Sequence, residues 1–380
     1  MDSNKHNGRI PQLRFPGFEV EWEEKTLADI CNITAGGDAP KQNFSKVKTG
    51  IYNVPVISNG IGENAIYGYT DIPKITQSAV TVAARGTIGY AEYRDYPYYP
   101  IIRLLSVIAK DSTIDTKYLS YLLSVQKYHS TDGGIPQLTV PMIGSTIIPI
   151  PSLLEQRTIA ECLEAIDQMI SAQNQKVESL KAHKKGLMQQ LFPQPGATTP
   201  PLRFPGFAGE WQEKSFDVIC HTITPPLKLQ SSQYSSSGKF PIVDQSQTLI
   251  CGWTNDSSGL LRNTPYIIFG DHTCVLKYID FPFIQGADGV KILGSNKKDN
   301  SKFIYQLLLS NPVKQDGYKR HFSDLKEKIF LLPPTLEEQT KIAECLSSID
   351  EIISVEESKV AFLKAHKKGL MQQLFPLPVK

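Results

Sequence analysis

Residues 155–193 read EQRTIAECLEAIDQMISAQNQKVESLKAHKKGLMQQLFP, and residues 338–376 repeat this stretch as EQTKIAECLSSIDEIISVEESKVAFLKAHKKGLMQQLFP. A second repeat precedes each copy, since RFPGFEVEWEEKTLADIC at residues 14–31 returns as RFPGFAGEWQEKSFDVIC at residues 203–220. The sequences between the repeated stretches differ. The chain therefore contains one frame, present twice, around two dissimilar inserts.

Apolar residues in the longer repeat recur at alternating spacings of four and three residues. They are Ile159, Leu163, Ile166, Ile170, Val177, Leu180, Leu187 and Leu191 in the first copy, and Ile342, Leu346, Ile349, Ile353, Val360, Leu363, Leu370 and Leu374 in the second. Polar residues hold two seam positions in each copy: Gln173 and Lys184, then Glu356 and Lys367. A 3.5-residue period sustained over several heptads predicts a coiled-coil seam.

Prolines bound both stretches, so each helix is predicted to run for about 35 residues, roughly 50 Å at the usual rise per residue. Because both helices carry one apolar stripe with matching polar breaks, the simplest partner of each is the other. We predict antiparallel packing with a pseudo-twofold axis; the alternative is that the helices only mediate dimerisation. Gly186 and Gly369 permit close approach of another chain or a bend, or else mark a late helix break.

Both inserts contain short β-rich runs in the same order, followed by one helix. The first has VPVIS, SAVTVAA, GYAEY and IIRLLSVIA before TKYLSYLLSVQKY at residues 116–128, and the second has KFPIV, PYIIFG, TCVLKYI and GVKIL before KFIYQLLLS at residues 302–310. Each insert ends in a strand that runs into proline, STIIPIP or KIFLLPP. This shared order predicts one α+β fold that carries two specificities.

Composition and motifs exclude several classes of protein. The chain is 41% hydrophobic and 21% charged, as in ordinary globular proteins. It has neither an apolar run of the roughly 18 residues that span a bilayer nor the apolar core of a signal peptide, so we expect a cytoplasmic protein. The six cysteines form no CxxC pair, which argues against disulfides and zinc. Walker A, HExxH and GxSxG motifs are absent from the sequence.

The formal net charge of +2 averages over unlike parts of the chain. Residues 32–153 carry 10 Lys and Arg against 8 Asp and Glu, and residues 221–335 carry 13 against 9. The inserts are therefore mildly basic, which is compatible with nucleic-acid contact through them.

Polar residues that follow strands of the inserts are candidates for contacts with bases or phosphates. They lie in AARGTIG at residues 83–89, GGIPQLT at residues 133–139, FGDHT at residues 269–273 and GYKRHFSDLKEK at residues 317–328. Arginine pairs with guanine and glutamine with adenine, whereas lysine and histidine suit phosphates. The alternative for each residue is a solvated or structural side chain. The predicted DNA contacts are Arg85, Thr87, Gln137, His272, Lys277, Lys319, Arg320 and His321.

One motif points to a different function. NTPY at residues 263–266 resembles the [ND]-P-P-[YFW] loop of adenine methyltransferases, but it lacks the first proline and a glycine-rich cofactor loop. We interpret it as a turn that leads into the strand YIIF. A methyltransferase, and a structural protein whose inserts bind other proteins, are the alternatives to a DNA-recognition protein.

Taken together, these motifs resemble the specificity subunits of type I restriction–modification enzymes. The resemblance covers nearly the whole chain. It rests on the doubled RFPGF and EW, on IPIPSLLEQRTIA and LLPPTLEEQTKIA, on the doubled LKAHKKGLMQQLF, and on GDHT and GIPQLT in the inserts. It implies an α+β fold in which two target-recognition domains alternate with two long helices, packed as an antiparallel coiled coil with a pseudo-twofold internal duplication. Each domain would read one half of a bipartite, asymmetric site in double-stranded DNA.

The resemblance also implies partners for the chain. Two modification (methyltransferase) subunits would dock on the helices, whose seam residues are the expected spacer and docking positions. Restriction (translocase and nuclease) subunits would join them. S-adenosylmethionine, ATP and Mg²⁺ are expected on these partner subunits, whereas this chain would bind neither cofactor nor metal and would perform no chemistry.

The repeats also set the predicted domain boundaries. They are an N-terminal segment with the first target-recognition domain at residues 1–153, a spacer helix at 154–193, a linker at 194–202, the second target-recognition domain at 203–335, a spacer helix at 336–376 and a tail at 377–380. The linker is rich in Pro and Thr and is predicted to be extended.

Overall fold

The computed structural model describes residues 10–128, 136–287, 289–317 and 319–376. The chain divides into two compact units: unit 1 comprises Met1–Gln173 and Lys359–Lys380, and unit 2 comprises Asn174–Ser358. Each long helix contributes residues to both units, so the units cut across the boundaries predicted from the repeats. The beginning of the first predicted domain, residues 1–9, and the predicted tail, residues 377–380, lie outside the described residues.

Before its long helix, unit 1 is made of short strands and three short helices. The strands are β1 (Glu23–Thr26), β2 (Cys31–Ala35), β3 (Phe44–Ser45), β4 (Val54–Ile57), β5 (Ile66–Thr70), β6 (Ala79–Ala83), β7 (Ala91–Arg94), β8 (Tyr99–Pro100), β9 (Leu104–Ala109) and β10 (Ile147–Ile150). The helices are α1 (Leu27–Ile30), α2 (Thr116–Val125) and α3 (Val140–Gly144), followed by the long α4 (Leu153–Leu191). A 3-10 turn covers Gly62–Ala65.

Unit 2 repeats this order. Its strands are β11 (Gln212–Ser215), β12 (Cys220–Ile223), β13 (Lys228–Leu229), β14 (Phe240–Val243), β15 (Gly252–Thr254), β16 (Leu260–Leu261), β17 (Tyr266–Gly270), β18 (Leu276–Ile279), β19 (Phe283–Gly286), β20 (Val290–Ser295) and β21 (Ile329–Leu332). Its helices are α5 (Phe216–Ile219), α6 (Ser301–Ser310) and α7 (Phe322–Lys326), followed by the long α8 (Leu336–Leu374). A 3-10 turn covers Ser231–Gln233.

The two units share the topology of their first sheet, whereas their second sheets differ, since β3 pairs with β5 in antiparallel and β13 pairs with β19 in parallel. An antiparallel sheet has the order β2-β9-β6-β7 in unit 1 and β12-β20-β17-β18 in unit 2. A second sheet joins β4 to β8, or β14 to β19, in parallel. A two-stranded ladder, β1-β10 or β11-β21, closes each insert. The α+β fold predicted from the order of the runs is confirmed, although α2 ends at Val125 rather than at Tyr128.

The repeated arginine of RFPGF forms an ion pair with a glutamate of the following long helix in both units. Arg14 donates from Nε and Nη2 to the two carboxylate oxygens of Glu155, at 2.7 and 2.8 Å. Arg203 makes the same bidentate pair with Glu338, with both distances 2.8 Å. Both glutamates are 1% exposed. A buried carboxylate needs such a partner, because an unpaired charge in the interior is costly. The doubled sequence motif is therefore a doubled ion pair.

The glutamine that follows each glutamate holds the helix of the insert. The Gln156 Oε1 accepts from the N–H of Asp115, the N-cap residue of α2, at 2.8 Å. The Gln339 Oε1 accepts from the N–H of Asn300, the N-cap residue of α6, at 2.9 Å. Each N-cap side chain in turn accepts from a backbone N–H of the first helical turn. At the start of each long helix, the glutamate thus binds the RFPGF arginine and the glutamine binds the N-cap residue of the helix in the insert.

Candidate nucleic-acid interface

Three segments of unit 1 meet where the inner strand β6 ends. The Ala84 N–H donates to the Arg103 carbonyl at 3.1 Å and to the Asn59 Oδ1 at 3.2 Å. The Ala84 carbonyl accepts from the Leu138 N–H at 2.8 Å. These bonds hold the turn after β6, the segment before β9 and the segment before α3 together. We name residues 59, 84–89, 103 and 137–138 loop cluster 1.

The corresponding strand of unit 2, β17, ends in the same way. The Asp271 N–H donates to the Gly289 carbonyl at 2.6 Å, and the Asp271 carbonyl accepts from the His321 N–H at 2.8 Å. The His272 N–H donates to the Gln245 Oε1 at 3.2 Å. We name residues 245, 271–273, 289 and 319–321 loop cluster 2.

The matching backbone hydrogen bonds establish which residues of the two clusters correspond. Ala84 and Asp271 occupy the centre of each cluster. Around them, the corresponding residues are Arg85 and His272, Arg103 and Gly289, and Gln137 and Arg320. The backbone is held alike, and the side chains differ at all three positions. Such an arrangement presents different chemistry from the same places on one fold.

Loop cluster 1 brings three predicted residues, Arg85, Thr87 and Gln137, together with Arg103, which is not among the predicted contacts. Arg103 donates from Nη1 to the Oε1 of Gln137, and both side chains are half-buried. Arg85 is half-buried and Thr87 is exposed in the turn between β6 and β7. Gly89 ends this turn with φ +85°, a conformation that favours glycine. Two guanidinium groups, an amide and a hydroxyl therefore lie in one cluster.

Loop cluster 2 brings His272, Lys319 and Arg320 together. The His272 Nδ1 lies 3.1 Å from the Lys319 carbonyl, and the His272 carbonyl accepts from the Gln315 Nε2 at 3.1 Å. Lys319 and Arg320 are exposed, and the Lys319 ammonium lies 3.5 Å from the Asp324 carboxylate. His272 is half-buried. The cluster presents two cations to solvent beside an imidazole.

Two further predicted residues lie in the interior of unit 2. Lys277 is 5% exposed, and its ammonium donates to the carbonyls of Asp244 at 2.7 Å and Thr248 at 2.5 Å. Burial lowers the pKa of Lys277. His321 is fully buried, and its Nδ1 lies 3.1 Å from the Asp324 carboxylate at the start of α7. The Lys277 side chain holds the loop after β14, the His321 side chain pairs within its own segment, and neither reaches the surface.

The sequence motifs do not include Asn59, Arg103 and Gln245, although all three belong to the clusters. Asn59 and Gln245 each follow a strand of the second sheet, and a hydrogen bond brings each to the end of the first sheet. Arg103 carries a signal in the sequence, because it is the only charge in the apolar run IIRLLSVIA. The first part of the motif GGIPQLT, residues 133–135, lies outside the described residues.

The predicted seam residues of the long helices make packing contacts and ion pairs within each unit. Every apolar seam residue, from Ile159 to Leu191 and from Ile342 to Leu374, is buried or half-buried. Polar seam residues form ion pairs within the units: Lys367 with Asp167 at 2.6 Å in unit 1, and Lys184 with Asp350 at 2.7 Å and Lys176 with Glu356 at 2.9 Å in unit 2. In unit 2 the partner in α8 moves from Glu356 to Asp350 as the partner in α4 moves from Lys176 to Lys184. In unit 1 Asp167 pairs with Lys367, and the earlier Leu163 shares a core with the later Leu374. The predicted antiparallel coiled coil is therefore confirmed within each unit.

The glycines of AHKKG lie inside uninterrupted helices. Both α4 and α8 are 39 residues long, and they continue through Gly186 and Gly369. The predicted alternative of a late helix break is therefore wrong, because the helical backbone runs on to Leu191 and Leu374. A Cβ added to either glycine would meet no atom within 4 Å, so the helix surface is open there.

The described part of the chain shows neither a methyltransferase loop at NTPY nor a metal site. Tyr266 of NTPY is the first residue of β17, and its ring packs edge-on against Phe283 with centroids 6.2 Å apart, which confirms the turn leading into a strand. The described residues contain no group of three or more His, Cys, Asp and Glu side chains that could hold a metal ion. Within the same residues, no helix has both the length and the apolar character needed to cross a membrane.

Comparisons with known proteins point to one family. The model of the type I restriction modification DNA specificity domain matches residues 19–182 and 208–365. A putative type I specificity subunit of Mycoplasma pneumoniae is 31% identical over 177 residues, which are 45% of this chain and 48% of that protein, so the chain spans about half the length of this relative. A putative type I restriction enzyme specificity subunit of Methanocaldococcus jannaschii is 26% identical over 416 residues, covering 97% of this chain and 94% of the relative.

A solved structure shares the fold. The crystal structure of the S subunit of a type I restriction–modification system from M. genitalium matches with a TM-score of 0.67 at 17% sequence identity. The match covers 97% of this chain and 100% of that one. Both halves of the duplicated architecture are therefore included in the likeness.

Proposed function

The chain belongs to the type I restriction modification DNA specificity family, and from this we propose that it is the DNA-reading subunit of a type I restriction–modification complex. Unit 1 reads one half of a bipartite, asymmetric site in double-stranded DNA, and unit 2 reads the other half. Helices α4 and α8 set the spacer between the half-sites. The chain itself catalyses no reaction.

One observation carries this proposal: the two loop clusters have the same backbone hydrogen bonds and different side chains. At corresponding positions, unit 1 has Arg85, Arg103 and Gln137, and unit 2 has His272, Gly289 and Arg320. Sequence is read in DNA by donor and acceptor side chains, whereas the scaffold only brings them to the groove. Two clusters with unlike donors therefore imply two unlike half-sites.

The cations of the clusters suit a nucleic acid. Lys319 and Arg320 of unit 2 are exposed, and Arg85 and Arg103 of unit 1 are half-buried. Lysine and arginine neutralise phosphates and release counterions, which supplies affinity without sequence preference. Arginine and glutamine add base contacts in the major groove. The small net charge of the chain is then acceptable, because partner subunits supply further phosphate contacts.

The proposed complex contains other subunits. Two modification subunits dock on the helices, one for each copy of the frame, and restriction subunits join them. The open helix surface at Gly186 and Gly369 supports docking at the two AHKKG segments. S-adenosylmethionine, ATP and Mg²⁺ belong to these partners in the proposal, and none of them to this chain. A genomic DNA substrate places the complex in the cytoplasm.

The test is a map of adenine methylation in a host that otherwise lacks it. The chain is co-expressed with its cognate modification subunit, and genomic DNA is analysed by single-molecule sequencing. A two-part asymmetric motif with a fixed gap, lost when the chain is omitted, is the expected result. A short continuous motif, or methylation that persists without the chain, contradicts the proposal.

A further inference from the structure

Arg103 is a charge of loop cluster 1 that its neighbours in the chain satisfy only in part. Its backbone is fixed, because its carbonyl accepts from Ala84 and the next residue, Leu104, begins the buried strand β9. Its side chain is half-buried beside the buried residues Ile101 and Leu104. A cation in such a place loses part of its hydration and needs acceptors in return. Gln137 supplies one acceptor.

That single acceptor leaves most of the guanidinium unused. A guanidinium has five N–H donors in a planar fork, and only one of them, on Nη1, donates to the Oε1 of Gln137. No other residue in the described part of the chain accepts from the Arg103 side chain, and no described carboxylate forms an ion pair with it. A parallel pair of N–H groups therefore remains for an acceptor from outside the chain.

Gln137 holds the fork in place. Its backbone position is fixed by the hydrogen bond from the neighbouring Leu138 N–H to the Ala84 carbonyl. Its amide oxygen then restrains a long side chain that would otherwise lose rotamer freedom on binding. Preorganised groups of this kind give specificity, whereas a contact that only neutralises a phosphate needs no orienting partner.

Guanine is the base that fits such a fork. In the major groove it presents two adjacent acceptors, O6 and N7, whereas adenine presents one acceptor and one donor, and cytosine presents a donor. We propose that Arg103 recognises a guanine in the half-site of unit 1 and that Gln137 is its positioning residue. This inference rests on the proposed function, and it identifies the base and the residue that reads it.

Unit 2 cannot make the same contact. Gly289 stands where Arg103 stands, and its φ is +80°, which disfavours any side chain. A Cβ added there would lie 2.7 Å from the Gln245 Nε2 and 2.8 Å from the His272 Cδ2. The contact with guanine at this position is therefore particular to unit 1.

The first experiment uses the methylation map with Arg103→Lys in the full complex. Lysine keeps the charge but loses the bidentate geometry, so one G·C pair in one half-site is expected to become degenerate while the other half-site stays unchanged. Gln137→Ala is expected to relax the same position, and Gln137→Glu, which still accepts from Arg103, is expected to preserve it. Arg320→Lys is the matched control, because it leaves the half-site of unit 1 unchanged.

The second experiment uses the wild-type complex, so its main result does not depend on whether a variant folds. Binding of the wild-type complex is measured on duplexes in which 7-deazaguanine, which lacks N7, replaces each guanine of the half-site in turn. At one position the affinity is expected to fall about 5-fold or more, because 7-deazaguanine keeps O6 but loses one of the two acceptors of the bidentate contact. With Arg103→Lys, the same replacement is expected to cause little further loss.

The outcomes separate this inference from the proposed function. If the wild-type complex gives no two-part motif, the proposed function itself fails. If the motif appears but its unit 1 half contains no G·C pair, or no 7-deazaguanine replacement weakens binding, the contact with guanine is overturned. A uniform loss of affinity for all sequences in Arg103→Met, which removes the charge, together with a weaker dependence on salt would also overturn it, since that result identifies a phosphate contact.

Discussion

Loop clusters 1 and 2 differ most at the position that Arg103 holds in unit 1 and Gly289 holds in unit 2. In unit 1 a guanidinium extends from this position to Gln137. In unit 2 the side chains of His272 and Gln245 occupy the space next to Gly289, so this position has no room for a side chain. The backbone hydrogen bonds around both positions are the same. The surface formed by a loop cluster can therefore change through a few side chains while the strand ends that carry it stay fixed.

A second pair of positions shows that the difference extends into the sheet. Lys277 on β18 lies opposite Ile268, and Glu92 on β7 lies opposite Thr81, at corresponding places in the two ladders. Lys277 is buried and holds the loop after β14, whereas Glu92 pairs with Arg94 at 2.7 Å. Opposite charges thus occupy one position of the fold, and each is satisfied by partners from its own insert.

Exchange of a whole insert is the change with the largest expected effect. We expect that replacing residues 32–153 with the corresponding insert of another family member changes the entire half-site read by unit 1. The half-site of unit 2 and the gap are expected to stay the same, because the frame residues that hold both inserts are retained. Methylation mapping checks this outcome. A change in both half-sites at once would show that the inserts do not read independently.

Loss of the frame arginines is expected to have the next largest effect. Arg14→Ala leaves Glu155, which is 1% exposed, without its bidentate partner, and we expect a loss of about 3 kcal/mol in the stability of unit 1. Urea unfolding followed by hydrogen exchange of unit 1 peptides measures it. Lys25→Ala is the control, because its ion pair with Glu23 lies at the surface and is expected to add nothing measurable.

The same substitution in unit 2 sharpens the comparison. Glu338 has a second donor, since the Trp211 Nε1 lies 3.3 Å from its carboxylate, whereas the Nε1 of the corresponding Trp22 has no hydrogen-bond partner in the described part of the chain. Arg203→Ala is therefore expected to cost less than Arg14→Ala. Equal losses in the two units would mean that the indole contributes nothing to the buried carboxylate.

Lys277→Met tests whether a buried lysine of unit 2 is structural. It removes two hydrogen bonds to backbone carbonyls, and we expect unit 2 to lose about 1 to 3 kcal/mol of stability. The recognised half-site is expected to stay unchanged. Arg320→Met is the matched control: the side chain is exposed, so we expect weaker DNA binding at unchanged stability. A changed motif in Lys277→Met without a loss of stability would instead identify a DNA contact.

The sequence predicts the frame better than the clusters, for a physical reason. The heptad period and the bounding prolines predict both long helices, although each has 39 residues and is somewhat longer than the predicted length. The order of the β-rich runs predicts the α+β fold, because these are local or repeated patterns. Burial of Lys277 and the pairing of Arg103 with Gln137 depend on which loops the sheet brings together. Spacing along the chain carries no information about such contacts.

The smallest expected effect concerns the two ion pairs that break the helix seam. Lys367 pairs with Asp167 in unit 1, and Lys184 pairs with Asp350 in unit 2, at corresponding positions of the duplicated frame. Both aspartates are more than one-third exposed, so each pair is expected to contribute no more than about 1 kcal/mol. Double-mutant cycles with alanine at both positions measure the coupling energy of each pair.

The two coupling energies are expected to agree within about 0.5 kcal/mol, although each aspartate also receives a donor from its own insert. The Tyr121 hydroxyl donates to Asp167 at 2.8 Å, and the Gln306 Nε2 donates to Asp350 at 3.0 Å. A hydroxyl and an amide are both neutral donors, so neither changes the charge that the lysine meets. A clear difference between the cycles would contradict this and show that the inserts tune the frame as well as the clusters. Tyr121→Phe, which removes only the hydroxyl, would then be expected to abolish the difference.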